Sequence, residues 1–143
     1  MLIGEYQNSI DGKNRLIIPA KFRDELGHKC VLTKGLDGNL ILYPMSTWAE
    51  QEKQLKVLPN TNKEARSYLR FVYSNAFECE MDKQGRILIP AVLKESAKLD
   101  KDLLTIGMLD RIEIWDKTSY ENSPNGGLLK AEDFEGFSDK FSV

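Results

Sequence analysis

The chain contains one segment twice: IDGKNRLIIPAKFRDEL, from Ile10 to Leu26, returns 71 residues later as MDKQGRILIPAVLKESA, from Met81 to Ala97. Five of the 17 positions are identical and six more are conservative. A repeat at a fixed offset is a repeated supersecondary unit, so the fold has to be built from two copies of one element. The similarity continues downstream, where CVLTKGLDGNLILYP (Cys30 to Pro44) falls on LLTIGMLDRIEIWD (Leu103 to Asp116), with Gly35 over Gly107 and Tyr43 over Trp115. Upstream, Tyr6 falls over Phe77. A unit of roughly 45 residues is too small to bury a good core alone. The two halves are therefore expected to pack on each other as a pseudo-twofold pair, one domain rather than two.

Within a unit the pattern reads strand, turn, strand, helix, strand, turn, strand. Gly4 to Ile10 alternates, Asp11-Gly12-Lys13-Asn14 is a turn cluster, and Arg15 to Ile18 is a second short strand. Pro19 suits the first position of a helix, where its missing N–H costs nothing, and Phe22 and Leu26 share one face of that helix. Cys30 to Lys34 and Leu40 to Tyr43 are the remaining strands. These readings divide the chain into a first repeat (residues 1–46), a helical connector (47–75), a second repeat (76–121) and a C-terminal tail (122–143). Capping boxes, Thr47 with Glu50 and Thr118 with Glu121, are expected to open a connector helix and a short helix after the second repeat. A second connector helix runs from Lys63 to Asn75, and the breakers Ser123 to Gly127 stop the last one. The tail beyond them is either disordered or a short docking segment.

Composition narrows the function classes. With 41% hydrophobic and 29% charged residues the chain is an ordinary globular one. No apolar run approaches the ~18 residues of a membrane span and MLIGEYQNS is no signal peptide, so the expected location is the cytoplasm. Cys30 and Cys79 lack CxxC spacing and read as buried thiols, and a single histidine, His28, leaves little for metal or triad chemistry. Neither a nucleophile with its base nor a phosphate loop nor a suitable carboxylate pair is present, so no enzyme, cofactor, metal or small-molecule substrate is expected. The net charge is −2, but Asp116 to Val143 carries three basic and six acidic residues, leaving Met1 to Trp115 at +1 and Asp11 to Arg23 at +3. For an anionic partner the local patch matters more than the total.

Both copies hold Asp-x-x-x-Arg across the turn: Asp11 to Arg15 and Asp82 to Arg86. Each aspartate is suited to accept from turn N–H groups, and Asn14 and Gly85 tolerate positive φ just before the arginine. Such a hairpin tip displays Arg15 with Lys13, or Arg86 with Lys83, and a guanidinium fork fits phosphate or a guanine edge. The competing reading is a structural ion pair that locks the turn. Exposed pairs contribute only about 0.5 kcal/mol, a weak reason to build the same one twice, and the added lysines do not help such a pair. Arg66 and Arg70 read as a solvated helix face, and Tyr43, Trp48, Phe77 and Trp115 as core.

On DGKNRLIIPAKFR and DKQGRILIPAVLK, together with GEYQNSIDGK, KGLDGNLILYP, RFVYSNAFECEMDKQGR and IEIW, the chain resembles the MraZ family of bacterial transcriptional regulators, built from two SpoVT-AbrB type repeats. The resemblance implies an α+β fold in which two pseudo-twofold-related swapped-hairpin β units form one small barrel-like core with flanking helices. It further implies a homo-oligomeric ring, association with the nucleoid, and binding to double-stranded DNA at direct repeats in the promoter of the division and cell-wall gene cluster that includes its own gene. The family motif carries over onto Asp11 and Arg15 and onto Asp82 and Arg86, with Lys13 in its usual place. Asn14 stands where the family has glycine, Gln84 where a lysine would sit, and the breaker-rich tail replaces a longer helix. A rival reading keeps the same hairpins as an antitoxin-like or scaffold module gripping a protein partner.

Overall fold

The computed structural model describes residues 1–143. The first repeat supplies β1 (Leu2–Ser9), β2 (Arg15–Ile17), α1 (Ala20–Leu26), β3 (Lys29–Lys34) and β4 (Leu40–Pro44). Two helices follow, α2 (Met45–Lys56) and α3 (Lys63–Tyr73). The same order returns as β5 (Phe77–Glu80), β6 (Arg86–Leu88), α4 (Ala91–Ser96), β7 (Asp102–Leu109) and β8 (Ile112–Asp116), then α5 (Lys117–Glu121). A 3-10 turn (Ala131–Phe134) and α6 (Phe137–Phe141) end the chain. No helix is long and apolar enough to cross a membrane.

The strands form an antiparallel six-stranded sheet, β1-β7-β8-β4-β3-β5, and a separate two-stranded one, β2-β6. This corrects the barrel-like core: the large sheet is open, with β1 and β5 at its edges, and the two short strands do not close it. Each repeat keeps one hairpin of its own, β3-β4 or β7-β8, and exchanges its remaining strand partners with the other repeat. β1 of the first pairs with β7 of the second, and β5 of the second with β3 of the first. At the centre each strand meets its own counterpart: Ile41 faces Glu113 between β4 and β8, and Leu16 faces Ile87 between β2 and β6. A pseudo-twofold axis through those two pairs relates the halves.

Alternation explains the layers. Leu32, Leu40, Leu42, Ile112 and Ile114 point from the large sheet into the main core, where Leu16, Ile18, Phe22, Leu26, Ile87, Ile89 and Leu93 meet them from the small sheet and from α1 and α4. The intervening residues Val31 and Tyr43 face the other way and are covered by α2 and α3 through Trp48 and Val72. Tyr43 packs on Trp48 with ring centroids 5.6 Å apart, and Trp115 on Tyr120 at 5.0 Å. Each pair is five residues apart in sequence, so the repeat extends into the helix after its last strand.

Local chemistry sets the helix ends, in places differently from the sequence reading. Pro19 and Pro90 are N-caps with extended backbone rather than first helical residues. Pro44 opens α2, which places Thr47 inside the helix, where its hydroxyl donates to Asp110 O at 2.8 Å. Asp116 caps α5 through Ser119 N–H, so neither threonine-based capping box forms. Asn62 caps α3, accepting from Ala65 N–H at 2.9 Å.

Candidate nucleic-acid interface

In the turn after β1, Asp11 Oδ1 accepts from the N–H groups of Lys13 (2.9 Å) and Arg15 (2.8 Å), and Oδ2 accepts from Arg15 Nε at 2.9 Å. Asp82 does the same with Gln84 N–H (2.9 Å), Arg86 N–H (2.8 Å) and Arg86 Nε (2.8 Å). Both turns need a residue in the left-handed region just before the arginine: Asn14 has φ 61° and Gly85 φ 77°. The bond from the arginine N–H, ahead of the contribution of the guanidinium, holds each carboxyl below its ordinary value of 3.8. Each aspartate is therefore ionised at neutral pH and fixes its turn.

Ion pair and display turn out to be compatible. Only Nε of each arginine is taken up, so the aspartate acts as a splint that aims the guanidinium and leaves its Nη edge without an acceptor in the chain. Residue parity does the rest. Leu16 and Ile87 are buried, so Arg15, Ile17, Arg86 and Leu88 lie on the outer face of the small sheet, with Arg15 opposite Leu88 and Ile17 opposite Arg86. The two motifs, 71 residues apart in sequence, thus meet on one two-stranded ribbon, an arginine at each end.

Lys13 and Lys83 stand exposed on the two turns. Two further cations lie at the turns, Arg23, already counted in the basic stretch from Asp11 to Arg23, and Lys94, which nothing in the sequence marks. Arg23 of α1 and Lys94 of α4 each reach the turn of the opposite repeat, and only the crossing of the chains brings them there. Arg66 bonds its Nη1 to Asn60 O at 2.9 Å and belongs to the connector. His28 is exposed, 3.9 Å from Glu80. The thiols of Cys30 and Cys79, neighbours across β3 and β5, are buried free cysteines, and desolvation pushes them up to about 12 and about 11. No group of three or more His, Cys, Asp or Glu side chains is arranged to hold a metal ion.

Two crossed repeats that place an Asp-x-x-x-Arg turn at each end of one β-ribbon define a two-repeat α+β module. The family model described as "MraZ protein, putative antitoxin-like" matches residues 1–71 and 72–124. A protein of Clostridium beijerinckii named "Transcriptional regulator MraZ" is 51% identical over 142 residues, 99% of this chain and 97% of its own. One of the same name from a Thermoanaerobacter species is 50% identical over all 143 residues, and one from Moorella thermoacetica 54% identical over 121. The chain belongs to the MraZ family.

Proposed function

We propose that this protein is a sequence-specific, DNA-binding transcriptional regulator acting on repeated sites in the promoter of the division and cell-wall gene cluster, its own gene included. The observation that carries the reading is the shared ribbon, on which Arg15 and Arg86 present free Nη edges from opposite ends while Asp11 and Asp82 hold their turns. Phosphate contacts from such a face supply affinity, and guanidinium forks in a groove supply base discrimination. The name carried by the relatives agrees with it. Few cations per chain mean modest affinity and a steep loss with salt. Oligomerisation, proposed here as a ring, multiplies the contacts by raising effective concentration over repeated sites. Exposed Ile3 and Met108, partners across β1 and β7, offer an apolar spot for a subunit contact.

The test is a gel shift and footprint on the DNA upstream of the gene across a salt series. Arg15→Ala with Arg86→Ala is expected to abolish the specific shift while leaving the melting temperature nearly unchanged; undiminished binding by the double variant would refute the reading. A second reading, a module gripping a protein partner, draws on exposed Phe134, Phe137 and Phe141 in the tail, beyond the family match at residue 124. It requires partner binding that depends on Leu128 through Phe141 and a protein indifferent to DNA.

A further inference from the structure

Arg23 and Lys94 occupy equivalent positions of the two repeats. The Arg23 guanidinium covers Gly85 so closely that a Cβ on that residue would fall 2.2 Å from Nε and 2.3 Å from Cζ. Its Nε donates to Ile18 O at 2.9 Å, and Ile18 N–H donates to Gly85 O at 2.8 Å, so the side chain is pinned where the two chain segments cross. Across the pseudo-twofold axis, Ile89 N–H donates to Asn14 O at 2.8 Å and Lys94 Nζ donates to Asn14 Oδ1 at 2.9 Å. Each turn is thus finished by a cation from the other repeat. One group is Asp11, Lys13, Arg15 and Lys94; the other is Asp82, Lys83, Arg86 and Arg23. Three cations against one carboxylate leave each turn at +2 in a chain whose total is −2.

We propose that Arg23 and Lys94 are DNA backbone phosphate-binding residues that complete the two turns from the opposite repeat, and that the completed turns are unequal. The inference rests on the DNA-binding reading above. Arg23 has Nε fixed and both Nη groups without an acceptor in the chain, which leaves a planar edge suited to bidentate phosphate contact. Lys94 is a point charge with one N–H spent on Asn14. The asymmetry follows from the residue before each arginine. Gly85 leaves room for a guanidinium to lie on the turn, whereas Asn14 fills that room and ties the lysine down. The Asp82 turn, capped by Arg23, is the stronger phosphate grip.

The experiment measures affinity of the full chain for a duplex from upstream of its own gene, and for an unrelated duplex, between about 50 and 200 mM salt. Arg23→Gln is expected to weaken both by about tenfold and to lower the slope of log K against log salt by about 0.9; Lys94→Gln should cost less than about threefold. Arg23→Lys is expected to restore the slope without the full affinity, which a merely structural role would not produce. If Arg15→Ala with Arg86→Ala abolishes binding while Arg23→Gln keeps wild-type affinity and slope, this inference falls and the DNA reading stands. Wild-type binding by all of these variants overturns both. Should Arg23→Gln fail to fold, Arg23→Lys decides: affinity and slope both identical to wild type would refute the bidentate contact.

Discussion

Gly85 and Asn14 are equivalent residues with different demands. At φ 77°, beneath Arg23, Gly85 has neither the backbone freedom nor the space for a side chain. Gly85→Ala is expected to cost about 1–2 kcal/mol from the left-handed backbone alone, and more once Arg23 is displaced. At Asn14, by contrast, glycine relieves the backbone and gives up the bond to Lys94, so Asn14→Gly should shift stability by only a few tenths of a kcal/mol. Chemical denaturation of both variants checks the contrast. The aspartates make a pH prediction at the same scale. Because the folded-state values of Asp11 and Asp82 lie below the ordinary 3.8, their contribution is complete above that pH and is lost as pH falls through the lowered values. Asp11→Asn with Asp82→Asn should flatten the acid limb of the stability profile below about pH 4, with little effect at pH 7 on the slope of the remaining curve. The Asp-x-x-x-Arg spacing, the turn and the need for positive φ were legible in sequence, being local. The turn contacts of Arg23 and Lys94 were not: their helix positions are ordinary, and only the crossing of the repeats gives them a role.

At the scale of elements, the small sheet is only three residues per strand and cannot be held by its own ladder. Its inner residues Leu16 and Ile87 are 0% and 1% exposed, which ties the ribbon to the main core. Leu16→Ala is expected to destabilise the protein by about 2–5 kcal/mol, and, because it loosens the platform for both arginines, to weaken DNA binding as well; urea unfolding and the gel shift together check it. Cys30 and Cys79 offer an element-level probe of packing. Buried on paired strands and pushed well above ordinary thiol values, they should resist maleimide at pH 8 in the folded protein and react when β3 and β5 separate in denaturant. Strand and helix order followed from alternation and turn residues. The helix starts did not, because Pro44 and Asp116 cap three and two residues ahead of Thr47 and Thr118, whose spacing to a glutamate imitates a capping box.

For the whole molecule, the tail is separable. Phe134, Phe137 and Phe141 stack on one another at 6.3 and 4.6 Å and all remain half exposed, so the tail folds on itself rather than into either core. Removing residues 128–143 should leave the unfolding midpoint and promoter binding unchanged, while Ile3→Glu should reduce the particle mass seen by light scattering if the β1–β7 spot joins subunits. The sequence by itself determined the number of structural units, their pseudo-symmetry, the chemistry of each turn and the family resemblance, because all of these are written in residue identity and short spacing. Tertiary structure decided that the repeats exchange strands, that the sheet stays open, and that each basic turn is completed by the other half. Those features depend on contacts between residues far apart in the chain, from 45 positions (Leu32 with Phe77) to 107 (Leu2 with Leu109), where one local pattern is compatible with several pairings and burial of the shared core selects among them.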